Sequence, residues 1–466
     1  MRSVVSEVSE VPQATGVPGR FPPGPRLPAT LQGARWLLGS SSFLERCHQR
    51  YGDLFTLDLA AKAALGPAAD RSQGRWVFVA DPAHVKRIFT ADPAVVRTGA
   101  TNRFLEPLVG PRSILVQDEP EHRDQRKLLL PPLHGERLRG YGAVMSEAAE
   151  AELCRWPVGE PFALWPRMQA ITLEVIVRTV FGITEPSRLE HVTRALRTML
   201  DRMTNPRWLF AQGLLATIAS PPSDRLRGAA RRLVGPVEEV ILDEIRRRRA
   251  MRDLNDRTDL LSMLVQAEYQ DGSPMSDREL RDELMTLLIA GHESTATALA
   301  WAFELLLRHP EKLARLRDET GSDEYADAVV KETLRLRPVV PFVLRCLNEP
   351  MELGGHSLPA GTWLAPCAYL VHRRPDCYPE PLAFRPERFL DQPAGAYTWL
   401  PFGGGGRRCL GAGFAQLEMT RVLQSVVSRA ELVPAKVKPE EIRARFITLA
   451  PARGTEVVLR RRMGVR

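Results

Sequence analysis

One segment limits the folds open to this chain more than any other: residues 277–308, whose pattern is that of a single uninterrupted helix. Its start is written locally. Ser276 and Glu279 have the spacing of a capping box, and Met275 and Leu280 that of the hydrophobic staple around it. The helical pattern then runs to Arg308-His309-Pro310, about 32 residues or ~48 Å, long enough to cross a whole domain. Leu284 to Ile289 and Ala296 to Leu299 are apolar apart from Thr286 and Thr297, so the helix is expected inside the protein as a central beam, in a mainly α fold. Between those runs, Ala290-Gly291-His292-Glu293-Ser294-Thr295 inserts small residues, an acid and two hydroxyls. Small residues let a bulky group approach and hydroxyls divert ladder hydrogen bonds, so a local widening that faces a ligand is expected. A solvent-facing polar patch is the plainer alternative, but the flanking apolar runs speak against it. The His292-Glu293 pair is not a zinc-protease HExxH, because position 296 is Ala.

A second stretch, Phe402-Gly-Gly-Gly-Gly-Arg-Arg-Cys-Leu-Gly411, holds a lone cysteine in a glycine-rich loop. Glycines let backbone fold tightly and approach a flat ligand, Cys409 can offer a thiolate, and Arg407 a positive charge. That is the equipment of a haem-thiolate site. Freed N–H groups can hydrogen-bond the sulfur, and the helix-compatible run from Phe414 to Val426 would put the thiolate near a helix N-terminus, where the dipole favours anions. Taken alone, such a stretch is more simply a surface turn with a buried cysteine. Two other glycine-rich motifs are excluded. A P-loop needs Gly-Lys-Ser/Thr where this loop has Gly406-Arg407-Arg408, and Gly411-Ala412-Gly413-Phe414-Ala415-Gln416 ends in glutamine, without the βαβ unit of a dinucleotide fingerprint.

The 466 residues, 44% of them hydrophobic, are enough for a large core, and length alone favours two or three domains. The six cysteines (47, 154, 346, 367, 377, 409) contain no CxxC pair, so free thiols and a cytoplasmic location are expected. No run approaches the ~18 apolar residues of a membrane span, and residues 1–20 carry Glu7 and Glu10 without a signal-like apolar stretch. The net charge of +8 is spread through the chain with no basic tract interleaved with aromatics, which argues against nucleic acid as partner.

Residues 1–20 read as a disordered tail, followed by a stiff Phe21-Pro-Pro-Gly-Pro25. Strands are expected at Asp53–Leu59 and Arg75–Ala80, joined by a long Ala60–Gly74 connection, and again near Pro341–Cys346, Thr362–Cys367 and Phe446–Leu459. From Asp81 to Arg337 the pattern is predominantly helical. Glu332 and Arg335 stand three apart on one helix face, and Phe384-Arg-Pro-Glu-Arg388-Phe389 supplies a further arginine ahead of the cysteine loop. An exposed pair of this kind is worth little; a buried Glu332 shared by Arg335 and Arg388 would clamp that segment to the helix.

Ala-Gly-His-Glu-Ser-Thr at 290–295, Glu-x-x-Arg at 332–335, Phe-x-Pro-x-Arg-Phe at 384–389 and Phe-x-x-Gly-x-Arg-x-Cys-x-Gly at 402–411, in this order, resemble the signature set of the cytochrome P450 family. The resemblance covers roughly residues 21–462 and implies one mainly α, triangular haem domain over 21–466 with a small β-rich N-terminal lobe, against the several domains expected from length. It implies Cys409 as proximal thiolate ligand of haem b, with Phe402, Gly411 and Ala290 beside the cofactor. His122, Arg126, Arg345 and Arg407 would grip the propionates, as arginine forks suit carboxylates. Glu293 with Ser294 or Thr295 would deliver protons; the family usually has threonine directly after the acid, where this chain has Ser294. Phe104, Leu105, Leu108, Leu287, Val340, Phe342, Val343, Ile447 and Thr448 are implied substrate-pocket residues, nearly all apolar.

The implied activity is insertion of one oxygen atom from O2 into a hydrophobic molecule such as a lipid, terpenoid, steroid or macrolide-like compound. The implied protein is a monomer without a membrane anchor, served by a ferredoxin and its reductase, because the chain carries no flavin or iron–sulfur module. Two rivals use the same cysteine. A peroxygenase or isomerase would not need the Glu293 relay, and a non-catalytic haem carrier or sensor would lack it and bring an output domain.

Overall fold

The computed structural model describes residues 21–59, 75–204, 224–445 and 447–463. The tail at 1–20 and the 60–74 connection singled out above lie outside the described residues. Eight helices position the site: α1 (Ala29–Tyr51), α2 (Pro82–Phe89), α3 (Glu121–Leu129), α4 (Gly142–Leu153), α5 (Trp165–Thr179), α6 (Asp277–Arg308), α7 (Asp323–Leu336) and α8 (Ala412–Arg429). The central beam is α6. Its capping box forms in both directions, and Met275 and Leu280 are both buried in one cluster, so the local start signals were obeyed. The helix runs unbroken through residues 290–295. The expected widening is absent: residues 290–295 all keep helical geometry, even though Ser294 Oγ donates back to the Ala290 carbonyl at 2.6 Å.

Helix α5 packs along α6, fastened by polar contacts at three levels. Trp165 Nε1 donates to Thr297 Oγ1 at 3.1 Å, Thr172 Oγ1 lies 2.8 Å from His292 Nδ1, and Gln169 Nε2 donates to Glu293 at 2.8 Å. Around these contacts, one apolar cluster joins the C-terminal half of α6 to α4, α5, α7 and α8, and a second surrounds its N-terminal half and includes Leu105 and Leu108.

The strands are β1 (Leu54–Asp58), β2 (Arg75–Val79), β3 (Val96–Arg97), β4 (Pro161–Ala163), β5 (Arg345–Leu347), β6 (Met351–Leu353), β7 (His356–Leu358), β8 (Trp363–Pro366), β9 (Ala430–Pro434), β10 (Ile442–Arg445), β11 (Thr448–Pro451) and β12 (Glu456–Arg462). The largest sheet has the order β1-β2-β8-β5-β3, with β2 and β8 parallel and the other pairs antiparallel. Its β5–β3 pairing sets Arg97 opposite Cys346, one residue from Arg345. The single strand expected over Phe446–Leu459 is two. The chain reverses at Gly454 (φ 76°) and Thr455 (φ 59°), so β11 pairs with β10 while β12 joins β9 and β4. No described helix is long and apolar enough to cross a membrane.

Candidate active site

The cysteine loop is shaped by what it packs against. Gly403 and Gly405 have φ of 67° and 66°, in the left-handed region that suits glycine. A Cβ on Gly404 would lie 2.4 Å from Phe89 Cδ2, and one on Gly405 2.0 Å from the Phe89 carbonyl oxygen. At these two positions glycine is required by the end of α2. Cys409 N–H donates to the Phe402 carbonyl at 2.9 Å, closing the loop three residues before α8 begins at Ala412. The Cys409 side chain is solvent-accessible although protein packs closely round the sulfur. Burial pushes the thiol up, opposed by a hydrogen bond from the Gly411 backbone and by the charges of Arg408 and Arg126. Arg126 Nη1 also donates to the Arg408 carbonyl at 2.8 Å, tying α3 to the loop.

The proposed propionate residues converge on one side of this loop. His122 is buried on α3 with Nδ1 2.8 Å from Glu119, and burial together with Arg407 lowers its pKa to about 4, so the ring is neutral at pH 7. Arg345 is only 6% exposed, yet its contacts among the described residues are the Leu344 carbonyl at 2.8 Å and the Phe89 ring, whose centroid lies 5.3 Å from its guanidinium carbon. Burial and the neighbouring Arg407 lower its pKa to about 10. A small cleft is lined by Arg345, Arg407 and Arg97, with Asp118 and Glu119 on its rim 3.8 and 3.9 Å from Arg407. Sequence reasoning missed Arg97: nothing local marks it, and only the β3–β5 pairing brings it beside Arg345.

Helix α6 presents an open face. Leu287 and Ser294 are partly accessible and Ala290 is exposed in the middle of a largely buried helix, at the i, i+3, i+7 spacing of one face. Leu287 packs against the cluster containing Leu105 and Leu108, and Leu410, the neighbour of Cys409, packs against the same cluster. Thr295 is buried, 3% exposed. His292 points to Thr172 and is held neutral by burial, its pKa lowered to about 3. Glu293 is bonded to Gln169, and burial raises its pKa against the pull of that bond and of Arg445.

The other expected pocket residues divide. Val343 packs against the β-sheet cluster, and Thr448 is buried with Oγ1 on the Arg445 carbonyl at 2.9 Å. The Leu449 N–H bonds the Val339 carbonyl at 2.8 Å, so β11 lies beside the stretch that carries the partly exposed Val340. Phe342 lies in an aromatic group with Trp36, Trp76 and Phe78, at centroid distances of 5.5, 5.9 and 5.3 Å. Phe104 and Ile447 are 51% and 44% exposed.

Below the loop, Glu332 and Arg335 are fully buried and bidentate at 2.7 and 2.8 Å. Glu332 also accepts from Arg388 Nε at 3.2 Å and from the Arg385 backbone N–H at 2.8 Å. Arg335 spends its remaining donors on the carbonyls of His372, Pro381 and Ala383.

The site thus offers a thiol that receives a backbone N–H, an open helix face with a small residue at its centre, joined to the loop through the cluster against which Leu287 and Leu410 both pack, and guanidiniums lining a cleft. Among the described residues Arg345 has no carboxylate within ion-pair distance, and a buried cation so placed calls for an incoming anion. These features suit a flat macrocycle with acidic side arms and a thiolate-bound iron, and they define the class of haem-thiolate proteins. The family model described as Cytochrome P450 matches residues 18–457. Cytochrome P450 135B1 of Mycobacterium tuberculosis is 41% identical, the match covering 94% of this chain and 91% of that protein; cytochrome P450 137 of the same organism is 36% identical over 96% and 92%. Among solved structures, retinoic acid-bound cyanobacterial CYP120A1 superposes with a TM-score of 0.77 at 24% identity, covering 95% of this chain and 99% of that one. The chain belongs to the cytochrome P450 family and is a haem-thiolate monooxygenase that uses haem b.

When bound, haem would supply the activation of O2, with a cysteine thiolate tuning its iron. The chain's own residues would hold it: Cys409 would ligate the iron, Arg345, Arg407 and Arg97 would pair with the propionates, and Ala290 would leave room for the macrocycle.

Proposed function

We propose that this monooxygenase acts on a hydrophobic small molecule, with Cys409 as the iron ligand. The observation that carries the substrate class is the apolar surround of the open α6 face: Leu287 beside Ala290, with Leu105, Leu108 and Leu410 in or against the cluster that Leu287 joins. Binding there is driven by removal of apolar surface from water, and no charged residue of this group asks for an ionised ligand. Val340, Val343 and Thr448 extend the lining. A ferric spectral titration with a library of lipophilic and ionised hydrophilic compounds tests it. Lipophilic members should give the displacement of iron-bound water, and a response confined to ionised hydrophilic compounds refutes the assignment.

Glu293 and Ser294 are the proton-delivering pair in this reading. Ser294 shares the open face with Ala290, whereas Thr295 is buried away from it. The Glu293 carboxyl holds its proton to higher pH than an ordinary carboxyl, which suits a donor. Electrons come from a separate acidic ferredoxin and its reductase. The receiving surface would carry the exposed Arg408 with Arg123 and Lys127 of α3, whose side chains are 66% and 48% exposed. The enzyme works as one haem domain over 21–466, a monomer of the cytoplasm; the unpaired state of all six cysteines supports that compartment.

A further inference from the structure

We infer that His372 is a positioning residue for the thiolate loop, linking the buried Glu332–Arg335 clamp to the backbone that carries Cys409. It follows the short helix Ala368–Val371 and is fully buried. Both ring nitrogens have backbone partners. Nε2 lies 2.7 Å from the Leu400 N–H, and Nδ1 3.0 Å from the Arg335 carbonyl oxygen. An amide N–H can only donate and a carbonyl can only accept, so Nε2 is the bare nitrogen and Nδ1 carries the proton. The carbonyl of His372 in turn accepts from Arg335 Nη1 at 2.8 Å, which makes the contact with the clamp two-way.

From Leu400 the connection to the sulfur is short. The Leu400 carbonyl accepts from Gly403 N–H at 3.0 Å, and the carbonyl of Phe402 accepts from Cys409 N–H at 2.9 Å. Two further contacts hold the residues just before: Tyr378 OH donates to the Thr398 carbonyl at 3.0 Å, and Trp399 Nε1 to the Lys331 carbonyl at 3.1 Å. Both of these grip carbonyls. His372 alone among the three takes a backbone N–H, at the residue whose carbonyl begins the turn. Groups that orient a ligand from behind typically change metal binding or activity by about 10–100-fold when removed.

The inference rests on Cys409 being the iron ligand, and the test separates the two. His372→Phe keeps a ring in the space and deletes both hydrogen bonds; His372→Gln restores an acceptor near the Nε2 position. Haem content, urea unfolding midpoint and the decay of the red-shifted thiolate Soret band of the ferrous carbon monoxide complex are measured for each. The expected result is a decay about 10-fold faster in His372→Phe at comparable haem content, with His372→Gln returning towards wild type. Hydrogen exchange of the Leu400 amide in the wild-type holoenzyme should be as slow as that of core amides of α7, a measurement that needs no variant to fold. A wild-type decay rate in His372→Phe, no rescue by Gln, or rapid exchange at Leu400 overturns the role of His372 while Cys409 stands. A wild type with no thiolate band overturns both.

Discussion

Replacing Glu332 by alanine removes the centre of the clamp, and the structure says how much that should cost. Its carboxylate accepts four hydrogen bonds, from Arg335 Nε and Nη2 at 2.7 and 2.8 Å, the Arg385 N–H at 2.8 Å and Arg388 Nε at 3.2 Å. Arg335 and Arg388 are 0% and 10% exposed at the side chain, so neither guanidinium can turn to water for compensation. Arg335 keeps carbonyl partners and the Tyr378 ring, 5.0 Å away, but those are dipoles, not a counter-charge. Breaking one partner out of a buried pair costs ~3–5 kcal/mol, against a typical total stability of ~5–15 kcal/mol. Glu332→Ala should therefore unfold at clearly lower urea and yield little holoprotein. The double variant Glu332→Leu/Arg335→Met, which leaves no orphaned charge at that pair, should recover part of the loss, since apolar replacement of a buried pair is often nearly neutral. Urea midpoints at equal slope, with haem content beside them, are the assay. If Glu332→Ala lies within ~0.5 kcal/mol of wild type and binds haem fully, the reasoning from burial is wrong.

Cys409→Ala should abolish the red-shifted Soret band of the ferrous carbon monoxide complex; its persistence would refute the ligand assignment. Ser294→Ala should divert reducing equivalents to peroxide and slow product formation by about 10²-fold, while Thr295→Ala stays close to wild type; a reversed order would move the relay hydroxyl to Thr295. His292, with a folded pKa of about 3 against ~6.5 unfolded, contributes stability that is fully present above ~6.5 and is lost as pH falls towards 3. Between about pH 7 and pH 5 it should account for ~2 kcal/mol of lost unfolding free energy, so the pH dependence should flatten in His292→Gln; an unchanged slope refutes it. Stopped-flow reduction by an acidic ferredoxin should slow with added salt and in Arg408→Glu, because exposed charges are screened beyond ~8 Å at physiological ionic strength; rates indifferent to both would remove the docking surface.

What could be read from the chain alone was what depends on neighbours in sequence. The start of α6 was legible because a capping box needs only Ser276 and Glu279, and its burial because apolar runs flank the polar stretch at 290–295 on both sides. The thiolate loop was legible because cysteine, arginine and glycines are contiguous, and the family signatures gave the order of the remaining parts. Tertiary structure decided the partners. Gln169 meets Glu293 across 124 positions, Arg97 comes to line one cleft with Arg345 through a strand pairing, and His372 bridges Arg335 and Leu400 from 37 and 28 residues away. It also decided why Gly404 and Gly405 must be glycine, which is the end of α2 at Phe89 and not a ligand. Whether Glu332 and Arg335 are a weak surface pair or a buried clamp was likewise invisible in their spacing. A three-residue separation sets which helix face two side chains share, but only the packing of the 379–388 segment over that face takes them out of water and gives the pair its strength.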